Sequence, residues 1–347
     1  MIIVMKSDST QEKLDAVVDR VKSFNLQAHL IQGDGQTIIG VVGLPLPPSL
    51  DEMFGIMPGV QTVLRVSKKY KLVGWDFHPQ KTVIDLGDGV TIGGDSVSVM
   101  AGPCSVESEE QTISTAHAVR AAGATILRGG AFKPRTSPYE FRGLGERGLQ
   151  ILAQARAETG LKIITEVMTP SDVEKVAEYT DIFQIGARNS QNYLLLEEVG
   201  KAMKPVMLKR GLSMLIEEWL LAAEYVMAQG NPDVMLCERG IRTFENATRN
   251  TFDVSAVPVL QSMSHLPVIV DPSHAAGKRK FVDALSLAGV AAGADGVIVE
   301  VHPEPDQAMS DGAQSLNFDQ FAKLTPKIKA VAEAIGRGLE IPDSVPA

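Results

Sequence analysis

The sequence predicts an α/β protein in which a (β/α)8 TIM barrel follows a small ferredoxin-like α+β domain. Its 347 residues are long for a single core and fit about two domains. Residues 1–67 follow the order β-α-β-β-α-β, and from Ser96 onward short apolar segments alternate with helical ones. We therefore expect the small domain at 1–67, a linker with a β-hairpin at 68–95, and the barrel at 96–347.

The first domain is predicted from changes in apolar periodicity. A strand at "MIIVMK" precedes a helix at "QEKLDAVVDRVKSF", for which Ser9 or Thr10 is the candidate N-cap. The apolar residues of this helix recur at helical spacing, namely Leu14, Val17, Val18 and Val21. Strands at "LQAHLIQ" and "TIIGVVG" are joined through "GDG", and a helix at "SLDEMFGI" leads to a closing strand at "VQTVLRVS".

The barrel is predicted from eight apolar strand candidates with helical segments between them. The strand candidates are "SVSVMAG", "ATILRGG", "KIITEV", "DIFQIG", "PVMLKRG", "DVMLCERG", "PVIVDPS" and "DGVIVEVH". Before them, "TVIDLG" and "VTIGG" form a hairpin around Gly-Asp-Gly. Eight strands in about 250 residues favour a closed barrel. A doubly wound open sheet is the competing fold, but no "GxGxxG" follows the first strand.

Composition excludes several classes of protein. The net charge of −9 argues against a general binder of nucleic acid or of membrane surfaces, and no apolar run approaches the ~20 residues of a membrane span. The start, "MIIVMKSDSTQEKLD", has too short an apolar stretch for a signal peptide. Two cysteines, Cys104 and Cys237, make no disulfide framework. We expect a cytoplasmic protein.

Titratable residues concentrate at the predicted carboxyl ends of the strands, where barrels carry their chemistry. They are Cys104, Arg128, Lys133, Arg135, Glu166, Arg188, Lys209, Arg239, Asp271, His274, Glu300, His302 and Asp311. A solvated rim is the ordinary interpretation of any one of them. A solvated rim does not explain the thirteen residues together, because alternation along the strands places Arg128, Lys209 and Glu300 on inward faces.

Six basic residues around one barrel mouth suit one or two multiply charged anions; they are Arg128, Lys133, Arg135, Arg188, Lys209 and Arg239. The loop "GGAFKPRTSPYEFRG" supplies two of them together with the hydroxyls of Thr136 and Ser137. A cation among hydroxyls on a proline-restricted backbone favours a phosphate site over a carboxylate site. A capped surface turn is the alternative.

A second set of residues combines one thiol, one imidazole and two carboxylates, from Cys104, His274, Glu300 and Asp311. Such a mixed set is typical of a catalytic divalent transition-metal site. Taken singly, Cys104 is as well explained as an inert buried thiol and His274 as a hydrogen-bonded loop residue. Cys237 is interpreted as packing in the lumen.

Long motifs in the barrel closely resemble 3-deoxy-D-arabino-heptulosonate 7-phosphate (DAHP) synthase. They are "AGPCSVES", "LRGGAFKPRTSPYEFRGLG", "QIGARNSQN", "MLKRG", "LCERGIRTFE", "VDPSHAAGKR" and "VEVHPEPDQAMSDGAQSL". The extension before the barrel resembles the branch of the family that has a ferredoxin-like regulatory domain. The resemblance implies a cytoplasmic transferase, 3-deoxy-7-phosphoheptulonate synthase, which condenses phosphoenolpyruvate with erythrose 4-phosphate and opens the shikimate pathway.

The resemblance also implies roles for individual residues. Arg188 and Arg239 would hold the phosphoenolpyruvate phosphate. The carboxylate and neighbouring oxygens would fall to Lys209, Arg128 and Lys133, and the erythrose 4-phosphate phosphate to Arg135 and Thr136. Cys104, His274, Glu300 and Asp311 match the metal ligands for a divalent ion such as Mn, Fe or Zn, and Glu166 or Lys133 would assist proton transfers.

Three alternatives remain open. One is 3-deoxy-D-manno-octulosonate 8-phosphate synthase, whose relatives typically carry a "KANRSS"-like loop where this chain has "KPRTSP". Another is a Schiff-base aldolase that uses Lys209. The third is a non-catalytic sensor of phosphorylated metabolites. The motif departs from its relatives at Glu140 and Arg142, for which pairing within the loop is the favoured interpretation. A contribution of Arg142 to the sugar-phosphate site is the alternative.

Regulation and assembly are expectations from the resemblance as well. The first domain is expected to bind an aromatic amino acid, phenylalanine or tyrosine, and to inhibit the barrel. His29 on its second strand is the candidate contact, with Ile31 on the same face; an exposed strand histidine is the alternative. A homo-oligomer, specifically a tetramer, is expected.

Overall fold

The structure is a computed structural model that describes residues 1–33, 36–43, 49–64, 69–134, 137 and 139–339. Residues 1–80 and 263–265 form one compact unit, and the rest of the described chain forms the other. Among the described residues, no helix combines the length and the apolar character that crossing a membrane requires.

The first unit contains an antiparallel four-stranded sheet with two helices. Its elements are β1 (Ile2–Met5), α1 (Gln11–Lys22), β2 (Gln27–Gly33), β3 (Gln36–Val42), α2 (Leu50–Gly55) and β4 (Val60–Leu64). The sheet order β2-β3-β1-β4 is that of the ferredoxin-like fold, so this prediction is confirmed. The predicted N-cap of α1 is confirmed in its position, but the side-chain bond that a cap usually makes is missing. Thr10 occupies the N-cap of α1 without a side-chain capping bond, and the Ser9 hydroxyl donates to the Gly59 carbonyl at 2.8 Å.

One face of this sheet packs against the helices. Its core includes Ile3, Val17, Ile39 and Phe54, none of which is exposed to solvent. On the other face, the ring of Phe77 lies against Gly40, where a β-carbon would overlap it. The glycine therefore leaves room for an aromatic ring to cover the sheet.

The second unit is the predicted barrel. A two-stranded hairpin, β5 (Ile84–Asp85) and β6 (Thr91–Ile92), precedes it. Eight parallel strands then pair in chain order, and β14 pairs with β7 to close the ring. They are β7 (Ser96–Gly102), β8 (Ile126–Arg128), β9 (Lys162–Glu166), β10 (Ile182–Ile185), β11 (Val206–Lys209), β12 (Val234–Glu238), β13 (Val268–Val270) and β14 (Gly296–Glu300). A short β15 (Gly338–Leu339) adds to the start of β7.

Helices connect the strands on the outside of the ring, as the βαβ pattern requires. They are α3 (Glu109–Ala121), α4 (Glu146–Thr159), α5 (Val173–Ala177), α6 (Tyr193–Lys201), α7 (Ile216–Met227), α8 (Ala256–Met263), α9 (Pro272–Ala276), α10 (Arg279–Ala291) and α11 (Phe318–Ala334). Ser108 begins α3 with a true side-chain cap, because its side chain accepts from the Gln111 amide at 3.1 Å. Short strand-to-helix connections of this kind hold the strand ends in fixed positions.

Apolar side chains fill the barrel lumen. The inward residues Ile126, Met207 and Ile298 belong to one buried cluster, as alternation along their strands predicted. Ile84 and Ile92 of the hairpin belong to the same cluster, so the hairpin seals the amino-terminal end of the barrel. Cys237 also packs in this cluster, in agreement with its interpretation as a lumen residue. Polar chemistry is thereby confined to the opposite end.

Asp295 fastens the amino-terminal end of the ring. Its fully buried carboxylate accepts from Lys81 Nζ at 2.6 Å and from an Arg337 guanidinium nitrogen at 2.9 Å, and from the Val268 amide at 2.8 Å. The same guanidinium also donates to the carbonyl of Ser96 at 2.8 Å. One carboxylate thus connects the starts of β7, β13 and β14 with both ends of the barrel sequence.

We predict that Asp295→Ala lowers the free energy of unfolding by about 3–5 kcal/mol, because it leaves two cations without their buried counter-charge. The surface carboxylate Asp283, which pairs with Lys327 at 2.8 Å, provides the control. Asp283→Ala should cost under about 1 kcal/mol. Urea unfolding monitored by tryptophan fluorescence measures both, and equal costs for the two variants would contradict the prediction.

Candidate active site

A cavity of about 270 Å³ opens at the carboxyl ends of the barrel strands. Among the described residues, its lining includes the basic side chains Arg128, Lys133, Arg188, Lys209, Arg239 and Arg249. Arg128 and Lys209 are the last residues of β8 and β11, and Arg239 directly follows β12. The strand ends therefore gather the cations, as the sequence predicted. Arg135 and Thr136 lie outside the described residues.

Two of these cations are already neutralised by buried carboxylates. Arg128 lies 2.6 Å from Glu300 Oε1, and Lys209 lies 2.5 Å from Asp271 Oδ2. In each pair both side chains are at most 4% exposed. Buried charges need such partners because desolvation is costly. These pairs leave the net positive charge of the cavity to the remaining cations.

Arg239 is the clearest unneutralised cation. It is 6% exposed, and it forms no ion pair with any carboxylate in the part of the chain that the structure describes. Burial lowers the pKa of its guanidinium, while Asp271 partly offsets that effect. Arg188, in the turn Ala187–Asn189 after β10, likewise lacks an ion pair among the described residues. A bound anion would stabilise both charges.

A third buried ion pair, between Arg210 and Glu238, supports the backbone between Lys209 and Arg239. Arg210 donates to Glu238 Oε2 at 2.9 Å and to Asp253 Oδ2 at 2.7 Å. The other Glu238 oxygen accepts from the Gly240 amide at 2.6 Å. Because Arg210 follows Lys209 and Glu238 precedes Arg239, this network ties together the two strand ends whose neighbouring residues face the cavity.

Four candidate ligands for a cation meet beside these charges. Ligand atoms of Cys104, Glu300 and Asp311 all lie within 4.8 Å of one another. His274 Nε2 lies 3.5 Å from Glu300 Oε1 and 4.0 Å from Asp311 Oδ2. Ligands at roughly 2.0–2.3 Å from a tetrahedral ion stand at comparable mutual separations. The structure thus brings together residues from three distant segments of the sequence.

The hydrogen bonds of His274 direct its free nitrogen into this cluster. His274 Nδ1 lies 2.7 Å from Asp271 Oδ2, so the Nδ1 proton is donated there and the Nε2 lone pair faces the carboxylates. Burial lowers the pKa of His274, which favours the neutral ring, although Asp271 and Glu300 oppose this effect. A lone pair directed at two carboxylates fits a bound cation, and a carboxylate behind the histidine is the usual support of such a ligand.

The thiol of Cys104 fits the same interpretation. Burial, and secondly the Glu300 carboxylate, raise the pKa of Cys104 to about 11. Its Sγ accepts from Lys133 Nζ at 3.0 Å and lies 3.3 Å from Asp311 Oδ2. A divalent cation coordinates the thiolate and displaces the thiol proton. Without such a cation, burial and the Glu300 carboxylate outweigh the opposite effect of Lys133 and keep the thiol protonated.

Glu166 forms part of the cavity wall at the end of β9. Gln184 donates to its Oε2 at 3.3 Å, and Gly186 is packed so closely that a β-carbon there would overlap Oε1. Glycine at position 186 therefore leaves room for the carboxylate of Glu166 to reach the cavity. Lys133, the other candidate for proton transfer, also lines the cavity and donates to the Cys104 carbonyl at 3.0 Å.

Some residues of the site were missed or misinterpreted from the sequence. Arg249 lines the cavity and donates to Asp311 Oδ1 at 3.2 Å, and Gln314 donates to Glu300 Oε2 at 2.7 Å. Both come from irregular loops without a periodic pattern. Pairing between Glu140 and Arg142 was also wrong, because within the described residues the two side chains form no ion pair; Glu140 lines the cavity instead.

His29, the candidate effector contact, lies in the first unit on β2. It is paired with Gly40 of β3, and its Nε2 lies 3.4 Å from Gln27 Oε1. Burial lowers the pKa of His29, so the ring is neutral near pH 7. The side chain is half-buried and is therefore partly accessible to a ligand.

Comparisons with known proteins identify both parts of the chain. The DAHP synthetase I family matches residues 81–337, and the DAHP synthase ferredoxin-like domain matches residues 1–68. Phospho-2-dehydro-3-deoxyheptonate aldolase of Thermotoga maritima is 52% identical over 97% of this chain and 99% of its own length. The 2-dehydro-3-deoxyphosphooctonate aldolase of Syntrophotalea carbinolica is 36% identical over 72% of this chain and 95% of its own.

Solved structures agree with these matches. The crystal structure of the Thermotoga maritima DAHP synthase superimposes with a TM-score of 0.78 at 51% identity, covering 97% of this chain and 98% of that one. A truncated form from the same organism superimposes with a TM-score of 0.73 and covers 78% of this chain and 99% of its own. The predicted fold is thus confirmed, and the chain belongs to the DAHP synthetase I family.

Proposed function

We propose that the protein is a 3-deoxy-7-phosphoheptulonate synthase, which condenses phosphoenolpyruvate with erythrose 4-phosphate to give DAHP and phosphate. The observation that carries this proposal is the concentration of cationic side chains around one cavity of a chain with net charge −9. Two phosphorylated substrates, one of them also a carboxylate, supply the anions that this cavity needs. The family membership points to the same reaction.

Phosphoenolpyruvate is assigned to the inner part of the cavity. Arg188 and Arg239 would hold its phosphate, because they carry no protein counter-charge among the described residues. Lys209, Arg128 and Lys133 would face its carboxylate. Arg135 and Thr136, which lie outside the described residues, are proposed for the phosphate of the aldose.

A divalent transition metal would be held by Cys104, His274, Glu300 and Asp311. Which metal binds depends on its availability in the cell. When bound, such a cation supplies Lewis acidity toward the aldehyde oxygen of erythrose 4-phosphate. In the reaction, C3 of phosphoenolpyruvate bonds to the aldehyde carbon, water adds to C2, and the C2–O bond to phosphate breaks. Glu166 and Lys133 are the groups proposed to move the protons that these steps require.

The choice of aldose decides between this function and the octulosonate reaction of the 36% identical relative. We predict turnover with erythrose 4-phosphate at least about 100-fold faster than with arabinose 5-phosphate, because a fixed cavity places only one chain length correctly between cation and phosphate site. Phosphate release in the presence of phosphoenolpyruvate measures both rates. Faster turnover with the five-carbon aldose would overturn the proposed substrate.

We predict that chelator abolishes turnover and that a divalent transition metal restores it. Cys104→Ser should lower metal affinity by about 10-fold or more, since it replaces a thiolate with a hydroxyl. Cys237→Ser is the matched control, because that thiol packs in the lumen and lies outside the ligand cluster. Metal titration of the two variants measures their affinities. Full activity after exhaustive chelation would contradict the proposed cation site.

We propose that the ferredoxin-like domain binds phenylalanine or tyrosine and inhibits the barrel, and that the protein is a cytoplasmic homotetramer. The family match over residues 1–68 and the partly accessible His29 support the regulatory part. Inhibition by an end product of the pathway would match its flux to demand.

Deleting residues 1–67 is predicted to preserve catalysis and to abolish inhibition by the aromatic amino acid. His29→Ala in the full chain should raise the inhibition constant about 10-fold if the ring hydrogen-bonds the effector. Steady-state rates over a titration of each amino acid provide the measurement. Undiminished inhibition of the truncated enzyme would exclude the domain as the effector site.

A further inference from the structure

Glu107 lies outside the cavity lining, yet its carboxylate connects the segments that carry the candidate cation ligands. We propose that Glu107 is a positioning residue, which holds Asp311 and Cys104 at the separation that a shared divalent cation needs. This inference rests on the cation site of the proposed function and assigns a role to a residue that contacts no reacting group.

The two oxygens of Glu107 have different partners. Oε2 lies 3.2 Å from His302 Nε2, and Oε1 accepts from the Met309 amide at 2.9 Å. His302 Nδ1 in turn accepts from the Glu304 amide at 3.1 Å, so the ring proton must be on Nε2 and is donated to Glu107. The Glu107 and His302 side chains are 11% and 7% exposed, which makes this a shielded contact rather than a surface pair.

These partners flank the ligands in the sequence. Glu107 follows Cys104 by three residues, His302 follows Glu300 by two, and Met309 precedes Asp311 by two. A hydrogen bond between the hydroxyls of Ser105 and Ser310 joins the same two loops. Displacement of Glu107 would therefore remove one of the links between the segment that carries Asp311 and the segments that carry Cys104 and Glu300.

The segment that carries Asp311 needs such a restraint. Between β14 and α11, residues 301–317 contain only short turns among their elements. Asp311 itself has a φ of 51°, in the left-handed region that non-glycine residues seldom adopt. Asp311 and Glu300 are both carboxylates within the same cluster, and Arg249 and Arg128 partly compensate their like charges. The contacts of Glu107 with His302 and with the Met309 amide join the start of this segment to the residues just before Asp311.

The test measures binding of Co2+ alone to the full-length protein, without substrates. The visible absorption of Co2+ reports the number of ligands, and a thiolate charge-transfer band reports coordination by Cys104. Glu107→Ala should weaken Co2+ binding about 10- to 100-fold, the usual effect of removing the support of a metal ligand. The Co2+ affinity of Glu107→Gln should lie between those of the unmodified protein and Glu107→Ala. Its amide oxygen still accepts from the Met309 amide, but its neutral side chain binds His302 less well.

The matched control is the exposed pair of His117 and Glu158, whose Nε2 and Oε2 lie 3.3 Å apart on the barrel surface. Glu158→Ala removes a carboxylate from a histidine in the same way, and it should leave Co2+ affinity unchanged. His302→Gln provides a second check. If His302 acts through Glu107, the double variant should bind Co2+ no more weakly than Glu107→Ala alone.

The outcomes separate this inference from the proposed function. If the unmodified protein binds no Co2+, both the cation site and this inference fail. If the unmodified protein and Glu107→Ala bind Co2+ with equal affinity, this inference alone is overturned. Should Glu107→Ala fail to fold, Glu107→Gln and His302→Gln decide by the same comparison. A lower melting temperature with unchanged Co2+ affinity would also overturn it, since that result is what a purely structural residue gives.

Discussion

Charge compensation at the carboxyl end of the barrel is the constraint on which the site depends. In the part of the chain that the structure describes, three Arg or Lys ion pairs are buried there, between Arg128 and Glu300, Lys209 and Asp271, and Arg210 and Glu238. Each pair is tolerated because the two charges stabilise each other at a position where water does not solvate them. Cations that lack such a partner stand out against this background. They leave positive charge in the cavity of a protein whose net charge is −9.

Two carboxylates in this network serve both halves of the site. Asp271 binds Lys209 on one side and His274 on the other, through its Oδ2. Glu300 Oε1 lies 2.6 Å from Arg128 and 3.5 Å from His274. The candidate anion site and the candidate cation site therefore share their counter-charges. A change at either carboxylate alters both sites together, so single substitutions at Asp271 or Glu300 cannot separate substrate binding from cation binding.

The sequence predicted those features that depend on periodicity, and it missed those that depend on loops. Alternation placed Arg128 and Lys209 inward with their apolar neighbours, and closure of the ring brought distant strand ends together. Arg249 and Glu107 have no such signal, because an irregular loop does not fix the direction of a side chain. Pairing of Glu140 with Arg142 was wrong for the same reason. The contact between Asp271 and His274 had a local signal in "VDPSH". Asp271 is the N-cap of α9, and the His274 side chain, three residues further on, lies within hydrogen-bond distance of its carboxylate.

The two ends of the barrel use buried charge in opposite ways. At the amino-terminal end, Asp295 is matched by two cations and a backbone amide, and the hairpin excludes water above an apolar lumen. Removing the carboxylate from such a cluster is destabilising, because it leaves the cations without their counter-charge. At the carboxyl end the matching is incomplete, and Arg239 is buried without a carboxylate partner among the described residues. This imbalance costs folding free energy that a bound anion would recover. Because an apolar lumen joins the two ends into one barrel, stability contributed at one end can offset the cost of the unpaired charge at the other.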